Sequence, residues 1–358
     1  MVFKADGAIH IFFTWKTNFE RIFPVRFYYA SVPAEREHKV KSIMRVNMKI
    51  VKEIFALGTA NTITLKTDDG KKEKALETLG EIRNFLLDLD DRLSCFKKGS
   101  EISRAADAAG KGYSGVSEDT LKLIKKAMEY GYLSKGAFDI TAGPLTELWR
   151  RAAGEGKLPD PAEIEAARQL VGFRDIQIAE VPAGIRLKRE GMSIDLGGIA
   201  KGYAADAAAE MLERYGFRTA LINFGGTVRV LGGCETIGIQ SPEGKKGEII
   251  GTLLLNDMAA VTSGIYERYF VKDGKAFHHI IDVRTGWPSE SEVASVTVIG
   301  KKAMDLDALA TSVLLLGLDE GSALVRKTGA EAVFAAKDGK IYITSGLKNN
   351  FKFMEKSK

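Results

Sequence analysis

Ser193-Ile194-Asp195-Leu196-Gly197-Gly198-Ile199-Ala200-Lys201-Gly202-Tyr203 joins a short apolar run to a helical pattern through paired glycines, with an acid before them and a lysine after. Glycines let backbone N–H groups come close to a phosphate, the helix N-terminus beyond adds partial positive charge, and Lys201 can neutralise an oxygen. The spacing matches neither Gly-x-x-x-x-Gly-Lys-Ser/Thr nor Gly-x-Gly-x-x-Gly, so it supports neither a P-loop nor a Rossmann sheet. A tight strand-to-helix turn that binds nothing is the plain alternative.

Outward from this turn the elements alternate irregularly. Upstream, 54–65 is rich in Thr and Ile and reads as a strand, ending in the turn formers Asp68-Asp69-Gly70. Ala75, Leu76, Leu79, Ile82, Phe85, Leu86, Leu89 and Leu93 then recur at three- and four-residue spacing, one face of an amphipathic helix. A second helix is predicted over 117–133. Asp160-Pro161-Ala162-Glu163 carries the signals of a helix start, which predicts a third helix running to 171. Residues 151–161 read as a long surface loop. Strands are predicted at 175–179, 184–187 and 192–194, a helix over 200–215, and a strand over 219–223. From 227 to 295 strands dominate, among them 236–240, 249–255, 258–262 and 277–281. Helices at 305–316 and 320–327 and strands near Val333 and Ile341 follow. This order predicts an α+β fold of mixed sheets with packed helices rather than repeating βαβ units.

Composition narrows the function. The 358 residues are 45% hydrophobic and 28% charged, with 37 Gly lacking any period, which excludes disordered and collagen-like chains. Lys plus Arg exceeds Asp plus Glu by only 5, without long basic runs, so nucleic-acid binding is unsupported. Cys95 and Cys234 lie far apart with no zinc spacing and read as inert thiols. The apolar stretch 308–318 falls short of the roughly 20 residues of a membrane span, so no transmembrane helix is predicted. Residues 1–50 interleave aromatics with bases and read as an N-terminal extension without a clear signal peptide. The expected compartment is therefore the cytoplasm.

Several segments carry chemistry. Asp307 and Thr311 are four apart on one helix face, two hard oxygen ligands suited to magnesium. Equally, aspartates in a first helical turn simply suit the dipole. His278-His279-Ile280-Ile281-Asp282-Val283-Arg284-Thr285-Gly286 places an imidazole close to a carboxylate, a ready general base, with Arg284 and Thr285 as possible phosphate contacts. Structural histidines are the commoner case. Asn223-Phe-Gly-Gly-Thr227 and Thr262-Ser-Gly264 have the look of nucleotide-binding loops. The segment 136–144 offers Phe138 to hold a ring and Asp139 to hydrogen-bond it, although alone it is an ordinary turn.

Taken in order, Ala56-Leu-Gly-Thr59, Leu93-Ser-Cys-Phe96, Gly136-Ala-Phe-Asp-Ile-Thr141, Asp195-Leu-Gly-Gly-Ile-Ala-Lys-Gly-Tyr203, Asn223-Phe-Gly-Gly226, His279-Ile-Ile-Asp-Val-Arg-Thr-Gly286 and Asp307-Ala-Leu-Ala-Thr311 resemble the FAD:protein FMN transferases, the ApbE-type family. The likeness runs from about 54 to 345. It implies a magnesium-dependent enzyme that takes FAD as substrate, transfers its FMN part to a Thr or Ser hydroxyl of an acceptor flavoprotein and releases AMP. By the same resemblance Leu57, Phe96, Ala137, Phe138, Asp139, Asp195, Lys201 and Ile280 contact FAD. Gly198 by its carbonyl, with Asp307 and Thr311, holds the metal, and His279 is the base. The family often has Met at Leu57 and Pro at Val283; both departures keep the apolar character of their sites.

The resemblance further implies two intimately associated lobes, ApbE-like and T-fold-like, with FAD between them, and an acceptor motif Asp-x-x-Thr/Ser-Gly-Ala-Thr/Ser. Neither Thr328-Gly-Ala330 nor Asp282-Val-Arg-Thr-Gly286 completes that motif, so the acceptor is expected to be another protein. Residues 51–346 are expected to form the catalytic domain and 347–358 a tail. Members of the family are also commonly tethered at the outer face of the cell membrane, the alternative to a cytoplasmic location. Two other readings share the same residues: a magnesium-dependent FAD pyrophosphatase giving FMN and AMP, and a flavin binder without catalysis.

Overall fold

Residues 54–65, which read as one strand, span the turn of a hairpin in the computed structural model, which describes residues 47–244 and 247–354. β1 (Asn47–Ala56) and β2 (Thr59–Asp68) pair in register around Leu57 and Gly58, whose φ values are +53° and +68°. Positive φ at both central residues gives the turn the twist that its flanking strands need. Leucine is a poor turn former, which hid the hairpin, and holding it there costs about 1 kcal/mol. Of the expected extension 1–50, the last four residues belong to β1; its remainder lies outside the described residues.

The main sheet continues with β3 (Ala220–Phe224), β4 (Thr227–Leu231), β5 (Ala259–Gly264), β6 (Val293–Gly300), β7 (Glu331–Ala336) and β8 (Ile341–Ile343). All eight strands lie in chain order and every neighbouring pair is antiparallel. Asn223-Phe-Gly-Gly-Thr227, with the look of a nucleotide loop, is the two-residue turn between β3 and β4, both glycines having positive φ.

Among the described residues, seven α-helices are inserted around this meander: α1 (Lys72–Leu93), α2 (Glu101–Asp107), α3 (Glu118–Leu133), α4 (Gly143–Glu155), α5 (Pro161–Arg168), α6 (Ala200–Arg214) and α7 (Ala303–Thr328). α1, α6 and α7 pack on the sheet. Ala75, Leu79, Ile82, Leu86, Leu89 and Leu93 of α1 are buried as the spacing predicts, whereas Leu76 is exposed. A small sheet of Cys234–Gln240, Ile249–Asn256 and Phe351–Phe353 adds a separate core, where Ile239, Leu253 and Phe351 meet Val230, Ala260, Ile299 and Val333 of the main sheet. The C-terminal segment 347–358 thus contributes buried Leu347 and Phe351 and one strand.

A second lobe contains α4, α5 and the hairpin of Tyr269–Lys272 with Lys275–His278, joined through Leu145, Trp149, Ile164 and Phe277. Trp149 stacks on Phe277 at 5.8 Å and donates to the Gly286 carbonyl at 2.8 Å. The expected long loop begins only after α4, which is closed by Gly156 in the left-handed region; Gly143-Pro144 at its start masked the helix. α5 has the capping box that the sequence shows, but stops at Arg168. Residues 192–194 form no strand, although Met192 and Ile194 are buried. α7 is long and apolar enough to pass for a membrane span, yet Leu309, Val313 and Leu314 lie in the core. Its non-helical Gly317 falls between the two helices that the sequence predicts.

α6 and α7 cross where Gly202 leaves no room for a side chain: a Cβ there would stand 2.2 Å from the Ala303 carbonyl oxygen. Asp206 of α6 accepts from the Ala303 and Met304 N–H groups, both at 3.0 Å, and so caps α7. Burial raises the pKa of this carboxyl, against the lowering effect of the two bonds. Gly202→Ala should destabilise the protein by about 1–3 kcal/mol through overpacking, although alanine is the better helix former. A urea melt that shows Gly202→Ala unchanged or stabilised would refute the close crossing.

Candidate functional site

Between the lobes lies a cleft of about 590 Å³, and all twelve residues that the resemblance assigns to the site line it. Leu57 enters on the β1–β2 turn and Phe96 from the segment after α1. Ala137, Phe138 and Asp139 come from the turn after α3, and Asp195, Gly198 and Lys201 from the glycine turn and first turn of α6. His279 and Ile280 follow the second-lobe hairpin, while Asp307 and Thr311 lie on α7.

The α7 end is polar. Asp307 is 3% exposed; its Oδ2 accepts from the Gly202 N–H at 2.9 Å, and its Oδ1 lies 3.4 Å from Lys201 Nζ. Lys201 also donates to the Gly197 carbonyl at 2.9 Å. Thr311 Oγ1 lies 3.2 Å from Ser263 Oγ. A Cβ on Gly198 would come within 2.9 Å of the Phe138 ring and 3.6 Å of Thr311 Oγ1, so glycine keeps this end open. Carboxylate, hydroxyl and main-chain carbonyl are all hard oxygen donors, a set that fits magnesium with water and phosphate as its other partners.

Four local expectations change. Asp139 does not present a free carboxylate: Oδ1 accepts from the Thr141 N–H at 2.7 Å and its hydroxyl at 2.6 Å, and Oδ2 accepts from the Phe173 N–H at 2.9 Å. It shapes the turn that carries Phe138. The Gly197 N–H is likewise engaged, by Asp195 Oδ1 at 2.8 Å. Arg284 is bound by Asp282 through two bonds of 2.8 and 2.7 Å, and with Thr285 it lines a different, larger cavity of about 1170 Å³. His279 therefore pairs not with Asp282 but with the Arg268 carbonyl, at 3.1 Å from Nδ1.

The end of the second-lobe hairpin divides the histidine doublet: His278 is its last strand residue and His279 lies just beyond it. His278 lines the larger cavity, His279 the cleft, and none of the twelve residues lines the former. Asp90, Glu267 and Arg268 also line the cleft and were missed in the sequence. Glu267 and Arg268 follow β5 directly, but only the fold-back of the next hairpin brings them beside His279.

A family model described as the ApbE family matches residues 57–334. The chain belongs to the ApbE family. An FAD:protein FMN transferase of Klebsiella pneumoniae is 36% identical over 263 residues, 73% of this chain and 83% of that one. One from Vibrio cholerae is 31% identical over 88% of this chain and 93% of its own length. The crystal structure of the ApbE protein from Thermotoga maritima superposes with a TM-score of 0.76 at 31% identity, covering 84% of this chain and 98% of that one.

Within this ApbE-family cleft the walls govern titration. Solvent reaches His279 through the opening, but protein surrounds the ring and desolvation lowers its pKa to about 4. The charges of Arg268, His278 and Lys201 act in the same direction, against the bond to the Arg268 carbonyl. Burial pushes the Cys95 thiol up to about 12, which leaves it unreactive at neutral pH. NMR titration of the free protein should place the His279 midpoint near 4, and a midpoint at 6.5 would contradict the desolvated setting. The unfolded chain binds that proton more tightly, so this group makes stability fall as pH drops from 6.5 towards 4.

Proposed function

We propose that this transferase moves the FMN part of FAD onto a Thr or Ser hydroxyl of an acceptor flavoprotein, with AMP as the leaving group. The observation that carries the reading is the convergence of a neutral imidazole, His279, with Lys201, Asp307 and Thr311 in one cleft between apolar walls. In the reaction the acceptor oxygen bonds to the FMN phosphorus as the pyrophosphate P–O bond to AMP breaks. The hydroxyl proton passes to Nε2 of His279, because Nδ1 is engaged by a carbonyl, which can only accept.

Lys201 offsets phosphate charge, while Leu57, Phe96, Phe138 and Ile280 give the flavin and adenine rings apolar surface. Magnesium held by Asp307, Thr311 and the Gly198 carbonyl would neutralise charge on the pyrophosphate oxygens. In-line phosphoryl transfer asks mainly for such positioning and charge neutralisation. The names of the relatives support flavin transfer, and the donor set supports the cation.

The test is intact mass spectrometry of an acceptor domain carrying Asp-x-x-Thr-Gly-Ala-Thr, incubated with the protein, FAD and magnesium, with and without chelator. Chelator-sensitive gain of one FMN, with AMP released, is expected. Asp307→Asn, which keeps an oxygen for the Gly202 N–H, should lower the rate by about 100-fold or more. Free FMN and AMP beside unmodified acceptor would replace transfer with pyrophosphate hydrolysis. FAD retained without AMP would leave only binding.

A further inference from the structure

We propose that Arg268 is the positioning residue for the base: its carbonyl fixes the His279 ring, and its guanidinium ties that ring to the turn on the opposite wall of the cleft. The inference rests on the transfer reading above and names a residue that acts through His279.

The main-chain N–H of His279 donates to the Arg268 carbonyl at 3.1 Å, and Nδ1 of the same residue lies 3.1 Å from the same oxygen. A carbonyl oxygen only accepts, so the proton of the neutral ring sits on Nδ1 and the lone pair on Nε2. Two donors from one residue on one oxygen fix the ring plane as well as the tautomer. The state is specific: a ring with its proton on Nε2 would set two lone pairs against each other at 3.1 Å.

The side chain of Arg268 reaches the other way. It donates from Nη2 to the Gly58 carbonyl at 3.2 Å. Gly58 belongs to the Leu57–Gly58 turn, and the Leu57 N–H donates to Asp90 Oδ1 at 2.8 Å. Asp90 Oδ2 accepts from Lys97 Nζ at 2.6 Å, beside Phe96. The bonds run without a break from His279 through Arg268, Gly58 and Leu57 to Asp90 and Lys97, around residues that all line the cleft. Arg268 alone bridges the second lobe and the β1–β2 hairpin in this chain of contacts, so its loss frees the segment that carries the carbonyl.

The charged and titratable groups acting on the ring are Arg268, Lys201 and His278. Removal of the guanidinium takes away one lowering charge and opens the ring to water, so the His279 pKa should rise. A purely structural role for Arg268 predicts no such movement.

The experiment compares wild type, Arg268→Ala and Arg268→Lys, each with selectively 15N-labelled histidine, and measures FMN transfer to the Asp-x-x-Thr-Gly-Ala-Thr domain. Wild-type His279 should show protonated Nδ1 in its 15N shifts, and Arg268→Ala a mixture shifted towards the Nε2–H form. In Arg268→Ala, kcat should fall by about 10- to 100-fold, FAD affinity should change less than about 3-fold, and the acid limb of the pH profile should move up. Arg268→Lys, which retains a donor for Gly58, should recover most of kcat. A wild-type Nε2–H ring overturns the inference, as does an Arg268→Ala protein with unchanged tautomer and kcat. A kcat loss that Lys fails to rescue and that leaves the acid limb in place overturns it too. The expected tautomer shift in Arg268→Ala, together with a wild-type protein that transfers no FMN, supports the lock and defeats the transfer reading.

Discussion

Gly202 and Ala303 hold α6 and α7 so close that no β-carbon fits between them, and the cleft's polar end depends on that contact. Lys201 sits immediately before the crossing glycine, and Asp307 accepts from that glycine's own N–H. Asp206, one turn further along α6, caps α7 from the same side. A shift of either helix by a fraction of a side chain would therefore separate the lysine from the carboxylate. Packing on both helices fixes their relation: interiors packed at crystal density transmit displacement rather than absorb it.

The antiparallel meander explains why the site collects residues from the whole length of the chain. Each long insertion leaves and re-enters the sheet at neighbouring strands. Residues 69–219, between β2 and β3, supply Phe96, Phe138, Asp195 and Lys201; residues 265–292, between β5 and β6, supply Arg268 and His279. The strands provide the floor and the insertions the walls. A hairpin turn, Leu57–Gly58, closes the circuit from the first edge of the sheet.

Elements with a strong local signal were legible. The buried face of α1, the capping box of α5 and the break at Gly317 all follow from spacing or backbone chemistry visible in a few residues. The β1–β2 turn was not, because it places leucine where glycine or asparagine is expected. α4 was hidden by Gly143-Pro144, which reads as a turn although proline suits a first helical turn. For the site, no single motif was decisive. Asp307 and Thr311 showed one face of a helix, but only seven motifs in one order gathered the twelve positions. Asp139 was found at the cleft, but its bonds to Thr141 and Phe173 were not, since the one to Phe173 depends on a tertiary approach. Arg268 had no local signal: its importance arises when a hairpin returns His279 to its carbonyl.

The cations of the cleft act twice. Lys201 and Arg268 favour an anionic ligand, and their charges add to the desolvation that keeps the free imidazole unprotonated. The cations' share of the cost of protonating it holds while the cleft lacks an anion. In the proposed transfer, the negative charge of the pyrophosphate would oppose the cations and strengthen proton uptake by Nε2 at the stage when the hydroxyl loses its proton. In the empty cleft the same ring stays neutral and adds no further positive charge beside Lys201 and Arg268. Desolvation and charge arrangement thus reconcile two demands that would conflict in open water: a strong attraction for phosphate, and a histidine free to accept a proton at neutral pH.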